Sequence, residues 1–415
     1  MTDSPPLDWF EAFGVELEYM IVDDAGLSVR PIADELLKRE AGELVSDVER
    51  GPITWSNELV LHVVELKTTD PARELAPLPA LFQGEVNHIN ALLALSGARL
   101  MPTAMHPTMD PHHEMRLWPH DSGEIYAAFD RIFDCSGHGW ANLQSVHLNL
   151  PFADDSQFAP LHAAVRLLLP LLPALAASSP VAEGRVTGLA DTRLDAYGAN
   201  ARRIPSVSGS VVPEPAFSRA DYEQSILQVI YRDMAAHDPH GILRYEWVNA
   251  RGAIARFDRN TIEIRLLDMQ ECPLADVAIC AAVVEVLRAL THGRWTDPLE
   301  QQKMPTEPLA EVLRATIAQG DRAVIRDQAL LRQFGLETSE SLTAGELWRH
   351  LIQQVGLLDD PATPWREPLS VILNQGPLSR RITHALGTDA SLEHIHAVYR
   401  RLCDCLASGA MFTGA

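Results

Sequence analysis

Apolar and polar positions alternate along residues 13–22, with Val15, Leu17 and Tyr19 on one parity and Glu16, Glu18 and Met20 on the other. That period of two predicts a strand with one buried face, and it sets two carboxylates on the same side. A helix is expected at 32–43. A second strand pair is expected across 53–66, where Glu58 and Glu65 sit among Leu59, Val60, Leu61, Val63, Val64 and Leu66, and Pro71 ends the stretch. The pattern at 75–98 is helical, and 99–104 returns to extended chain before the polar loop MHPTMDPHHEMRLWPHD. After a helix at 125–135, residues 142–150 (NLQSVHLNL) alternate again, with Gln144 on one parity and His147 and Asn149 on the other.

A long apolar helical segment is expected at 160–177, interrupted by Pro170 and Pro173, each of which removes a backbone donor. The following loop, 178–215, is dense in Gly, Ser, Arg and Asp, and long loops of that kind often carry function. Residues 222–236 read as a helix, and 245–267 as a hairpin that turns at Asp258-Arg259-Asn260 between the arms IARF and TIEIRLL. Beyond residue 274 the pattern is helical, at 275–291, 309–317, 344–355 and 392–406. Strands mixed with helices first and a helical layer after define an α+β class, with 1–273 as a core and 274–415 packed on it in one continuous domain.

Composition narrows the function classes. The hydrophobic fraction of 47% and charged fraction of 22% are those of an ordinary globular chain. A formal net charge of −22 repels nucleic acid and anionic membranes, and no basic patch offsets it, so neither is an expected partner. No apolar run reaches the roughly 20 residues of a membrane span, and the first residues lack a secretory pattern. Five scattered cysteines without CxxC spacing read as reduced thiols, so a cytoplasmic protein is expected. A homodimer through the apolar C-terminal helices is a further expectation.

Three polar constellations carry the candidate chemistry. Glu16 and Glu18 project into one space, tolerable where solvent or a cation compensates them; an isolated ExE pair is more often a solvent-facing strand edge. Glu58 and Glu65 sit in apolar surroundings where a carboxylate needs a metal or a partner, and Lys67 offers an ordinary salt bridge instead. His147 on its strand and Glu263-Ile264-Arg265 in the later hairpin complete the set, each readable alone as a structural residue or a cross-strand ion pair. Taken together, oxygen ligands from several strands with one imidazole describe a site for two or three Mg²⁺ or Mn²⁺ ions facing a nucleotide, not a zinc site.

The stretches FGVELEYMIVD, ELVLHVVELKT, HGWANLQSVHLNLPF, ALAASSPVAEGRVTGLADTRLDAYGANARRIPS and NTIEIRLLD, in order across residues 13–268, resemble the glutamate–cysteine ligases and related carboxylate–amine ligases, in the wider group of glutamine synthetase. The resemblance implies a bowl of mostly antiparallel strands with flanking helices, holding ATP at one end and amino-acid or amine substrates at the other, with 1–273 as the ligase core. It implies that Glu16, Glu18, Glu58, Glu65, His147 and Glu263 are metal ligands. Arg265 would contact phosphate or an acyl-phosphate, with Gln144 and Arg256 beside it at the nucleotide. In the loop, Ser179-Pro180, Gly184, Gly188, Asp191 and Arg193 match an SP…G…G…R segment, which makes Arg193 the candidate clamp for a substrate carboxylate. Arg202, Arg203 and Arg256 are candidate helpers there, with surface or structural pairing at least an equal alternative for each.

The histidine-rich loop 106–121 is read as a rigid lid in preference to a metal site, with Arg116 and Trp118 touching substrate. Cys135 is expected to be buried and not nucleophilic. The implied reaction passes a phosphoryl group from ATP to a carboxylate and lets an amine displace phosphate, giving a γ-glutamyl-type amide. Two alternatives share the fold: a phosphotransferase that forms no amide, and a nucleotide-binding regulatory protein without turnover.

Overall fold

A computed structural model of the protein describes residues 6–337, 341–388 and 390–414. Its centre is an eight-stranded, wholly antiparallel sheet ordered β2-β3-β4-β1-β6-β10-β9, with β5 paired to the far end of β1. The strands are β1 (Gly14–Asp23), β2 (Asp47–Arg50), β3 (Ile53–Asn57), β4 (Val63–Thr68), β5 (Ala98–Met101), β6 (Ser145–Pro151), β9 (Ala253–Arg256) and β10 (Thr261–Asp268), while β7 (Val181–Ala182) and β8 (Arg185–Val186) form a separate short hairpin.

The alternation along β1 sorts its side chains as expected. Val15, Leu17 and Tyr19 are fully buried against helices, and Glu16 and Glu18 turn to the other face. The buried face packs on the helices Leu78–Ala94, Asp155–Leu168 and Pro273–Thr291, whose apolar residues join those of the sheet in one core. That core also takes in Leu309, Leu347, Trp348 and Leu369 from the C-terminal helices. At about 25 cal/mol per Å² of apolar surface, this burial is what holds the strands rigid enough to keep a charged face in register.

Several local expectations are sharpened. The 160–177 segment is a helix to Leu168 with Pro160 inside it, one 3₁₀ turn at Leu169–Leu171 and a short helix Pro173–Ala176, with Pro170 and Pro173 in the first positions of their turns, where backbone donors are dispensable. The 222–236 helix carries a π-turn at Glu223–Leu227. In the last hairpin the strands begin only at Ala253, and Glu246–Val248 is a 3₁₀ turn. Asn260 closes that hairpin with φ of 52°, a left-handed conformation that asparagine tolerates. Glu58 is not in a strand: it lies in the connection between β3 and β4.

Candidate functional site

The polar face of the sheet lines a cavity of about 690 Å³. Because neighbouring antiparallel strands set directly opposed residues on the same face, the lining forms rows across the strands. In the first row Ser56 pairs with Glu65 and Glu65 with Glu18. In the second, Thr54 pairs with Lys67, Lys67 with Glu16 and Glu16 with His147. The third runs Gly14, Asn149, Glu263, and the fourth Pro151, Thr261, Arg256. Read from the first row to the last, the face passes from carboxylates to guanidinium groups.

Each acid is held differently. Glu18 Oε2 accepts from the Ser145 backbone N–H at 2.7 Å and from its hydroxyl at 3.1 Å. Glu16 accepts from His147 Nδ1 at 2.9 Å and from Asn149 Nδ2 at 2.9 Å. Gly14 makes room for Asn149, since a Cβ there would lie 3.0 Å from the Asn149 Cβ. Glu65 Oε1 accepts from Ser56 Oγ at 2.7 Å and Lys67 Nζ at 2.9 Å. Glu58 Oε2 takes the Leu59 N–H at 3.3 Å.

Two groups of side chains converge closely enough to share an ion: Glu16, Glu65 and His147, and Glu18, Glu58 and Glu65, with ligand atoms inside each group within 4.8 Å of one another. Glu65 belongs to both. Burial pushes the Glu58 carboxyl well above its usual range, and the charges of Glu65 and Glu18 push it further. Burial likewise raises Glu18. Burial opposes ionisation of Glu16, but the hydrogen bond and charge of His147 win and hold it low. Desolvation works against the His147 cation, yet Glu16, Glu18 and Glu263 lift it to about 10. Glu18 and Glu58, raised by burial first and by neighbouring carboxylates second, in a cluster whose oxygen ligands outnumber its one imidazole, fit hard divalent cations such as Mg²⁺ or Mn²⁺.

Glu263 stands at the edge of this cluster. Its Oε1 is 4.0 Å from His147 Nδ1, but its carboxylate is engaged by the Arg265 guanidinium and faces Arg256 Nη1 at 3.6 Å. It is in neither ion-sized group, so its placement favours orienting arginines as much as ligating metal. Arg265 reaches the cavity where the β6–β10 register shifts between Ile264 and Leu267, an irregularity of the kind that re-aims a side chain. Arg256 is also held by Asp258 through bonds of 3.1 and 3.0 Å. Arg259, from the hairpin turn, lines the same end and was not singled out in the sequence.

Three expectations are corrected. Gln144 is fully buried and outside the cavity, in the residue just before β6 begins at Ser145. Arg193 is 1% exposed, lies outside the cavity lining and is paired with Asp268, with Nε 2.5 Å from Oδ1, while its buried Nη2 has no hydrogen-bond partner; it is not an open clamp in the cavity. The loop 106–121 is neither a lid on the cavity nor a cluster of metal ligands among the described residues. Trp118 is buried, Arg116 bonds the carbonyls of His113 and Met115, and His106 lies in the core with Nε2 2.6 Å from the Leu27 carbonyl. Arg203 holds the carbonyls of Arg131 and Ile132 and is structural. Cys135 is buried, and burial pushes its thiol far up. Ser145, Asn149 and Lys67 belong to the site; the first two share the parity of His147, the signal that marks them.

No helix among the described residues is long and apolar enough to cross a membrane. The chain is 35% identical over 307 residues to an uncharacterized protein of Archaeoglobus fulgidus, covering 74% of this chain and 80% of that protein. It is 26% identical over 389 residues to a Nocardia farcinica protein provisionally named glutamate–cysteine ligase 2-1, covering 91% and 89%. Among solved structures, the glutamate–cysteine ligase of Francisella tularensis in complex with AMP shares the fold at a TM-score of 0.58 and 13% identity, covering 98% of this chain and 90% of that one. The profile of glutamate–cysteine ligase family 2 matches residues 12–401, and the chain belongs to that family.

Proposed function

We propose that this protein is an ATP-dependent, ADP-forming carboxylate–amine ligase that works in the cytoplasm, joining an amino-acid carboxylate, glutamate in the first instance, to cysteine or another amine. The observation that carries the reading is the pair of acid groups sharing Glu65, set on the same face as Arg256, Arg259 and Arg265. The AMP bound to the Francisella tularensis relative of the same fold supports a nucleotide as the other ligand.

In this reading Glu16, Glu18, Glu58, Glu65 and His147 hold divalent cations, with Glu263 at their border. Bound ATP would supply the phosphoryl group and leave as ADP, and the divalent ions would offset the phosphate charge, so that the activated carboxylate could be attacked by an amine with phosphate as the leaving group. The chain's own residues do the positioning. Arg265, steered by Glu263, and Arg256, steered by Asp258, present guanidinium donors to phosphate oxygens at fixed angles. Asn149 and Ser145 keep Glu16 and Glu18 from rotating away, so the acids need little reorganisation on loading.

The test is release of ADP and phosphate from Mg²⁺-ATP with amino acids offered singly and in pairs, followed by mass spectrometry. ADP release that needs an acid and an amine together, with an amide product, is the expected result. ADP formation with a phosphorylated acceptor and no amide overturns it in favour of phosphotransfer.

A further inference from the structure

Among the described residues Lys67 is the one lysine on the cavity face, and it stands inside the acid cluster instead of at the arginine end. Strand β4 sets it two residues after Glu65 and directly across from Glu16. Its ammonium is 2.9 Å from Glu65 Oε1, the oxygen that also accepts from Ser56 at 2.7 Å. Glu65 is the acid that both ion-sized groups need. The Lys67 side chain is nonetheless 38% exposed on the cavity side, so it has room to swing away.

We infer that Lys67 is a built-in counter-cation for Glu65 that competes with the divalent ions: it neutralises the cluster when the ions are absent and must release Glu65 as they bind. The inference rests on reading these acids as cation ligands. Two physical points carry it. An ammonium salt-bridged to a shared ligand lies within a few ångströms of where a dication would sit, and at such distances like charges repel by several times thermal energy even at protein-surface screening. Without the ammonium, Glu18, Glu58 and Glu65, whose ligand atoms lie within 4.8 Å of one another, would face one another with His147 Nε2 3.7 Å from Glu18 Oε1, and like charges that close repel. Loading the site is therefore an exchange of one cation for another, and it frees an ammonium on the cavity wall for an anionic substrate group.

The experiment measures Mn²⁺ affinity of the full chain by calorimetry, without nucleotide, for the wild type and for Lys67→Met, Lys67→Gln and Lys67→Arg, with thermal melting in EDTA and in saturating Mn²⁺. Both neutral variants are expected to bind Mn²⁺ about tenfold or more tightly than wild type, since about 1.4 kcal/mol of relieved repulsion is a factor of ten. They should also melt a few degrees lower in EDTA, a deficit that saturating Mn²⁺ removes, while Lys67→Arg stays close to wild type. A lysine that merely packs the site predicts the opposite sign, weaker Mn²⁺ binding on its removal. Unchanged or weaker binding in the neutral variants, with wild type binding normally, overturns the role of Lys67. Absence of Mn²⁺ binding in the wild type overturns the cation reading itself, and this inference with it.

Discussion

Glu18 and Glu65 face each other directly across the β1–β4 ladder, two like-charged, almost fully buried side chains in one cross-strand pair. Such a pair destabilises a sheet unless something positive sits between its members. Ser145 holds Glu18 Oε2 and Ser56 holds Glu65 Oε1, and the two carboxylates together with Glu58 lie close enough to share an ion.

Glu65→Gln should therefore remove both candidate ion sites at once. Turnover with Mg²⁺-ATP is expected to fall by about 10² or more, the scale seen when a preorganised electrostatic group is lost. The metal-free melting temperature should hold or rise, because a repulsive charge has gone. Mn²⁺ titration and melting curves check both, and a variant that keeps its activity would remove Glu65 from the site.

Glu263→Gln separates ligation from orientation. Its carboxylate is bonded to Arg265 and lies outside both ion-sized groups. We expect turnover to drop at least tenfold, as for loss of one charge-assisted contact, with Mn²⁺ affinity within a few-fold of wild type. Loss of Mn²⁺ binding in this variant would restore Glu263 as a full ligand.

Asp268→Asn tests the assignment of Arg193. Asp268 Oδ1 takes Arg193 Nε at 2.5 Å, and Oδ2 takes the Ser178 N–H at 2.7 Å and Ser179 Oγ at 3.1 Å. Breaking a fully buried ion pair from one side costs about 3–5 kcal/mol. The variant should lose most of its margin of stability in denaturant titration. A raised KM for the carboxylate substrate at unchanged stability would instead return Arg193 to the substrate.

Acid sensitivity follows from three buried histidines. Burial holds His62 and His106 down to about 4 and His162 to about 3. A folded pKa below the unfolded one means that the stabilising contribution is complete above about pH 6.5 and is lost as pH falls toward 4. At about pH 5 each costs on the order of 2 kcal/mol. Melting temperature should fall steeply between neutral pH and pH 5. His162 stacks on Phe158 at 5.2 Å, so His162→Phe should keep the packing and move acid unfolding to lower pH; an unmoved midpoint would rule this histidine out as a contributor.

The alternation of residues was enough to read β1 and β6, and with β1 the shared face of Glu16 and Glu18, because a period of two leaves a side chain only two directions; β2 and the short β7–β8 hairpin carried no such signal. Gln144, in the residue just before β6, falls outside that rule, and the fold buries it. The hairpin around Asn260, the proline-broken helix ending at Leu168 and the C-terminal helices were legible from local signals. Which acids share an ion was not. The register that opposes Glu65 to Glu18 and Lys67 to Glu16 is set by hydrogen bonds between strands 40 or more residues apart, and no local pattern encodes it. Nor could the chain order reveal that Arg193 meets Asp268, since that contact depends on the 178–215 loop folding beneath the end of β10. Side-chain direction is a local property of the backbone and is written in the sequence; which charges become neighbours is a property of strand pairing and burial, and only the tertiary structure decides it.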